Sequence, residues 1–273
     1  MSDQAGKSIF ITGGAGGMGL ATGQLFADKG WFVGLFDIDE QGLQQATAQF
    51  DRNRTLIQRL DVTSESDFAS AMDAFSERTG ARMDVMFNNA GIAPGAWFED
   101  MPMGTIRQVI DINVLGVIIG IRAALPLLKE TTGSLCISTS SSCATYGHAM
   151  RAVYSASKSA VKGMTEALSL EFERFGVRTA DVLPGCIDTP MLRNALAART
   201  GRPFDESLFE GMPKNGAYRL MPVSAIAEAV WNAYCTDTIH WYVPEEVGDI
   251  DRLKGTDFNA AREVTREFLF GSR

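Results

Sequence analysis

Near-continuous apolar runs alternating with helix-patterned segments constrain this chain more than any other feature. Residues 7–12 (KSIFIT), 31–37 (WFVGLFD), 55–61, 83–88, 133–140 and 177–183 are short runs with strand character. Between them, 18–29, 40–50, 104–129 and 151–174 carry helical patterning, and Ser64 with Asp67 has the spacing of a capping box opening a helix toward Arg78. Strands that are apolar on both faces must be covered on both sides, and parallel strands are joined through crossover helices. The expected fold is α/β: a doubly wound parallel sheet with helices on both faces, taking its ligands beyond the carboxyl ends of the strands. A break is expected in the 104–129 helix near Pro126.

The alternation fails from Pro184 to Pro222, where Gly201, Pro203, Gly211, Pro213 and Gly216 punctuate the chain around one short helix expected at 191–199. A long insertion of this kind in a compact domain reads as a lid, placed at 191–221. A helix at 223–234, a strand at 239–243 and a helical tail at 260–270 follow. No internal repeat or linker divides the chain, so one domain over 1–273 is expected.

Charge and composition narrow the partners. The net charge of −8 argues against nucleic acid or an anionic membrane. Cys136, Cys143, Cys186 and Cys235 lie far apart without metal-ligand spacing and read as reduced. With only His148 and His240 for imidazole ligands, no metal site is expected. The apolar run 114–121, ended by Arg122, is shorter than the ~20 residues a bilayer requires and reads as a buried helix. The first seven residues lack the basic start and apolar core of a signal peptide, and the expected location is cytoplasmic.

Two motifs carry chemistry. The first strand runs into Thr12-Gly13-Gly14-Ala15-Gly16-Gly17-Met18-Gly19 and then a helix. Glycines there let the backbone turn tightly and approach a pyrophosphate, while the helix start offers N–H groups and its positive dipole end. Asp37, ending the second strand, can accept hydrogen bonds from adenosine ribose hydroxyls; Asp39 is available to cap the following helix instead. The second motif is Tyr154-Ser155-Ala156-Ser157-Lys158, in which Tyr154 and Lys158 share one helix face. A neighbouring ammonium stabilises phenolate and is expected to lower the tyrosine pKa, making the hydroxyl a proton donor or acceptor for an alcohol–carbonyl couple.

Together with DV at 61–62, NNAG at 88–91, IN at 112–113, STSSS at 138–142 and PGCIDT at 184–189, these pieces make residues 7–234 resemble the classical-type short-chain dehydrogenase/reductase (SDR) family, whose fold is Rossmann-type. The resemblance implies that Thr12, Gly13, Gly17, Met18 and Gly19 hold the cofactor pyrophosphate, that Asp61 and Val62 border the adenine, and that Asn89, Ala90 and Gly91 lie beside the cofactor. It further implies that Asn113 holds a helix distortion serving a proton relay to Lys158. Lys158 would bind the nicotinamide ribose, and Pro184, Gly185, Ile187 and Thr189 would meet the nicotinamide end. Counting back from Tyr154 selects Ser141 as the substrate-orienting serine, whereas counting forward from Gly133 selects Ser140. His148-Ala149-Met150 departs from a stretch where relatives often carry glycine or proline, and His148 is read as incidental rather than as a base.

The expected activity is NAD-dependent, reversible oxidation of a secondary alcohol to a ketone, with Asn113, Ser141, Tyr154 and Lys158 as catalytic residues. A non-catalytic dinucleotide-binding sensor is the alternative; it would not need Tyr154, Lys158 and Ser141 together. An epimerase of the extended relatives would need more chain after Cys235, and a methyltransferase would leave YSASK without a role. Trp97 and Phe98 suggest a largely apolar substrate, and Met101, Met103 and Met150 either line its pocket or fill the core. The resemblance implies a homodimer or homotetramer. The apolar pair Val264 and Phe268 in the tail is expected to dock on the domain or a second subunit.

Overall fold

The computed structural model describes residues 6–201 and 203–271; residues 1–5, 202 and 272–273, at the ends of the expected domain and within the expected lid, lie outside the described residues. Its strands are β1 (Ser8–Thr12), β2 (Phe32–Asp37), β3 (Thr55–Arg59), β4 (Val85–Asn88), β5 (Leu135–Thr139), β6 (Arg178–Pro184), β7 (Cys186–Ile187), β8 (Leu220–Met221) and β9 (His240–Val243). Seven of them form one parallel sheet in the order β3-β2-β1-β4-β5-β6-β9. The direction of strand addition reverses between β1 and β4, which opens a crevice at their carboxyl ends.

The two-residue period of each strand divides its side chains between two cores. Ile9 and Ile11 of β1 point to one face, where Phe26, Leu35, Val182 and Val230 join them. Phe10 points to the other and stacks on Phe36, with Phe75 against its edge. On the first face lie α1 (Gly17–Asp28), α2 (Glu40–Thr47) and, later in the chain, a helix at Val223–Cys235. On the second lie α3 (Glu65–Thr79), α4 (Met103–Ile110), α5 (Gly116–Lys129) and, beyond the short α6 (Ser142–Thr145), α7 (Ala152–Glu171). The capping box forms as expected: Ser64 Oγ accepts from the Asp67 N–H at 3.1 Å, and left-handed Gly80 closes α3.

Pro126 does not break α5. Its missing N–H and the turn it would have bonded lie on the exposed side, where water can satisfy the freed carbonyl. The irregularity lies earlier, as a π turn over Asp111–Leu115 between α4 and α5. Met103–Lys129 is long and apolar enough to cross a membrane by length and composition, and here Val117, Ile121, Ala124 and Leu128 face the core.

The segment 184–222 is more ordered than its glycines and prolines suggest. It contains α8 (Pro190–Thr200) and α9 (Ser207–Glu210), and its two ends pair as β7 and β8 in a separate parallel ladder. Then come α10 (Val223–Cys235), β9, α11 (Val247–Thr256) and α12 (Phe258–Phe270); α11 has no counterpart among the expected elements. Phe268 stacks on Tyr218 at 3.8 Å between ring centroids, so the tail docks on the domain as its apolar pattern indicates.

Candidate active site

The glycine turn is built by close approach. A Cβ on Gly19 would lie 2.1 Å from the Gly13 carbonyl oxygen, and Gly13 and Gly17 have φ of +68° and +52°. Gly16 precedes α1 without a side-chain cap, leaving the first turn of the helix for another acceptor. Met18 lies in that first turn. These are the features a pyrophosphate requires, so the residues present fit a dinucleotide.

Asp37 Oδ2 accepts from the Ala15 N–H at 3.0 Å, and its Oδ1 accepts from the Asp39 N–H at 3.0 Å. Asp39 takes the capping role on α2, accepting from the Gly42 N–H. Asp61 Oδ1 accepts from the N–H and hydroxyl of Thr63, while Asp67 holds the Asp61 N–H. Val62 packs against Gly116 and joins Thr12, Ala90 and Ile112 around a small recess. Asn89 is structurally engaged: its side chain donates to the carbonyls of Thr12 and Gly13 and accepts from Thr139 Oγ1. Thr12 Oγ1 in turn accepts from the N–H groups of Asn89 and Ala90, tying β4 to the glycine turn.

Asn113 is fully buried in the π turn. Its Oδ1 accepts from the Ile92 N–H at 2.9 Å, and its Nδ2 donates to the Ile92 carbonyl at 2.8 Å and to Ser157 Oγ at 3.2 Å. Gly91 gives way to both Asn113 and Lys158: a Cβ there would lie 3.1 Å from Asn113 Oδ1 and 3.4 Å from Lys158 Nζ.

The two serine counts are separated by direction. Ser140 Oγ donates away from the cleft to the Lys158 carbonyl at 2.9 Å. Ser141 caps α6, accepting from the Cys143 N–H, and is hydrogen-bonded to the Tyr154 hydroxyl. Lys158 is buried, donates through Nζ to the Thr139 carbonyl at 2.7 Å, and lies 5.8 Å from the centre of the Tyr154 ring.

The expected lowering of the tyrosine pKa is reversed in the protein's own field. Burial pushes the Tyr154 hydroxyl up to about 12 with nearby Cys143 acting the same way, against the pull of the Ser141 hydrogen bond and the Arg151 guanidinium. Burial also draws the Lys158 ammonium down to about 8. Removing each group from water penalises its charged form, and this is the largest influence on both.

Beyond the crevice, Gly185 donates to the Val243 carbonyl and has no room for a side chain beneath Ala217. Pro184 ends β6 and Ile187 is buried. Thr189 Oγ1 caps α8 through the Leu192 N–H and stands over Gly17, whose added Cβ would lie 3.5 Å from Thr189 Cγ2. Thus the glycine turn, the β4 and β5 ends and the 184–189 turn converge on one cleft.

Three participants escaped the sequence reading. Thr139, inside the STSSS run, is the acceptor for Lys158; Ser157, inside YSASK, supports Asn113. Arg151, just before α7, brings a guanidinium to 5.8 Å from the Tyr154 ring. Met150 adopts φ +61°, the conformation that makes glycine the easy choice there. His148 is buried against Tyr218 and Phe268, and burial, with Arg151, draws it down to about 4. Met101 belongs to a small core with Val109 and Val153, while Trp97 is half exposed and stacks with Phe270. A separate surface groove between α2 and β3, lined by Leu43, Phe50 and Ile57, lies at the far edge of the sheet from Tyr154.

The comparisons agree with this geometry. L-fucose dehydrogenase of Mus musculus is 34% identical over 238 residues, covering 85% of this chain and 85% of that one. Trans-4-hydroxycyclohexanecarboxylate dehydrogenase of Sinomonas cyclohexanicum is 33% identical over 200 residues, covering 70% and 76%. The crystal structure of levodione reductase superposes with a TM-score of 0.79 at 28% identity, over 86% of this chain and 95% of that one. The sequence profile described as short chain dehydrogenase matches residues 7–200, and the chain belongs to that family of oxidoreductases.

Proposed function

We propose that this chain is an NAD-dependent dehydrogenase interconverting a secondary alcohol and a ketone, with Tyr154 as general acid/base. One observation carries the reading: Ser141, Tyr154 and buried Lys158 meet at the carboxyl end of β5, beside a glycine turn with no room for a side chain at Gly13 and Gly19. Relatives named for dehydrogenation of fucose and of a hydroxycyclohexanecarboxylate support a small hydroxyl-bearing substrate.

The nicotinamide, when bound, takes or returns the hydride. The glycine turn with Thr12 and Met18 would hold its pyrophosphate, Asp37 the adenosine ribose, and Asp61, Val62 and Ala90 the adenine side. Lys158 with Asn89 and Gly91 would hold the second ribose, and Pro184, Gly185, Ile187 and Thr189 the nicotinamide end. Tyr154 removes the hydroxyl proton in oxidation and returns it in reduction. Ser141 donates to the substrate oxygen and stabilises charge developing there. Lys158 favours the phenolate, and Asn113 keeps the π turn open for proton exchange.

The segment 191–221 acts as a lid pinned at both ends by β7 and β8. Arg193 ties it down through Asp188 at 2.7 and 2.9 Å and Glu206 at 3.0 Å. Exposed Leu115 and Leu170, on the helices bearing Asn113 and Tyr154, support pairing of subunits into a dimer or tetramer. Following nicotinamide absorbance over a panel of secondary alcohols and ketones with NAD and NADP tests the activity. Turnover that depends on Tyr154 is expected, and its absence with both cofactors across the panel would overturn the reading.

A further inference from the structure

Arg151 stands at the junction between the loop 146–151 and α7, half buried at the rim of the proposed site. Its Nη1 donates to the carbonyl of Ala93 at 3.1 Å, bridging the cleft wall that follows β4 to the wall that precedes α7. The bridge is reinforced one residue away, where the Ala96 N–H donates to the Met150 carbonyl at 2.9 Å. The guanidinium carbon lies 5.8 Å from the Tyr154 ring centre, the same separation as Lys158 Nζ. Lys158 is turned inward and spent on Thr139. Arg151, by contrast, has no carboxylate partner among the described residues, whereas the half-buried Lys162, Arg178, Arg193, Arg219 and Arg266 are each paired with one. Its charge also reaches Tyr154, Cys143 and His148, drawing each downward, so it acts on the interior of the cleft and not on solvent alone.

A guanidinium held by one donor to a carbonyl retains further N–H groups in a planar fork, suited to a carboxylate. Placing it beside the proton-transferring hydroxyl without a counter-ion leaves the cleft with an unmatched positive charge. We propose that Arg151 is a specificity residue that pairs with a carboxylate on the substrate, making the substrate class hydroxy acids and oxo acids with an otherwise apolar body. This rests on the dehydrogenase reading for the reaction and goes beyond it for the substrate. The exposed faces of Trp97, Phe98 and Met150 supply the apolar surroundings, and Arg151 supplies the anchor.

The test compares matched pairs that differ only in charge: the positional isomers of hydroxycyclohexanecarboxylate and their neutral carboxamides. For wild type, kcat/KM is expected to favour at least one carboxylate over its carboxamide by about ten-fold or more. In Arg151→Gln that ratio should fall close to one, and in Arg151→Lys, which keeps the charge but loses the fork, it should be intermediate. Calorimetric binding of unreactive cyclohexanecarboxylate and cyclohexanecarboxamide to the NADH-loaded enzyme gives the same comparison without turnover. Preference for the carboxamide in wild type, or a ratio unmoved by Arg151→Gln, would overturn the assignment. Failure of the dehydrogenase reading looks different: no Tyr154-dependent turnover of any pair, with the carboxylate binding ratio still reporting on Arg151.

Discussion

The ammonium of Lys158 donates to the carbonyl oxygen of Thr139 at 2.7 Å, fastening α7 to the carboxyl end of β5 at a point closed to solvent. A buried cation without an acceptor is costly, so this bond both places the lysine and keeps it tolerable. Lys158→Ala removes the cation and leaves the Thr139 carbonyl without it. Turnover and cofactor affinity are both expected to fall, each by about ten-fold or more. Fluorescence titration with NADH checks the second; unchanged affinity would contradict a ribose-binding role.

Tyr154→Phe keeps the ring and deletes the hydroxyl. Turnover is expected to drop about a hundred-fold or more, the usual size of a lost acid/base contribution, with NADH affinity held within a few-fold. Near-normal turnover on a working substrate would remove Tyr154 from the mechanism.

Cofactor preference follows from Asp37. Its carboxylate is fixed by the Ala15 and Asp39 N–H groups, and a ribose hydroxyl can donate to it where a 2′-phosphate would be repelled. Arg59 sits beside it in register but is held by Asp67 at 2.9 Å and by Glu40 at 3.5 Å, and Ile38 at the next position carries no charge. Losing one charged hydrogen bond and gaining a repulsion corresponds to ~2–4 kcal/mol, a preference for NAD of tens- to hundreds-fold. Steady-state kinetics with both cofactors on one substrate measures it, and Asp37→Ala should narrow the gap mainly by weakening NAD. Equal efficiency with NADP would reverse the assignment.

His148 sets an acid limit on stability. Burial lowers its pKa from 6.5 to about 4, so the folded state resists a proton that the unfolded state accepts. Its contribution is complete above pH ~6.5 and is lost as pH falls toward 4, amounting to about 2 kcal/mol at pH 5. His148→Gln should flatten that part of the profile. Urea unfolding at pH 7 and pH 5 gives the comparison, and equal losses in both proteins would place the acid sensitivity elsewhere.

Hydrogen exchange addresses the lid. With NAD added, amides of 191–221 should gain protection while those of α3, away from the proposed cofactor cleft, change little. Strong and equal protection with and without the cofactor would exclude gating by this segment.

What could be read ahead of the structure was local or strongly patterned. The β1–glycine turn–α1 unit, the apolar strands and the Ser64–Asp67 cap all follow from neighbouring residues. So does the division of labour between Asp37 and Asp39, since only one of them is placed to cap α2. Pro126 misled because helix-breaking depends on which side the freed carbonyl faces, and periodicity alone did not weigh that. The ladder of β7 with β8 joins residues separated by the whole intervening segment, and short pairings of that kind leave almost no periodic signature. Ser140 and Ser141 differ only in the side of a strand end from which they project. Arg151 looked like an ordinary helix-start residue until the 90–97 loop was laid against it.

The stacking of Phe268 on Tyr218 has a consequence for how the molecule is made. Tyr218 also reaches His148 and Thr265 through its hydroxyl, so one wall of the cleft is finished by residues from the last turns of α12. During synthesis the glycine turn, β2 and β3 can pair as soon as they leave the ribosome. The wall around His148 has no such option, because Phe268, which packs on both His148 and Tyr218, is translated more than a hundred residues after His148. Until α12 emerges there is no Phe268 to cover them, so a chain still in synthesis presents His148 and Tyr218 without their finished packing.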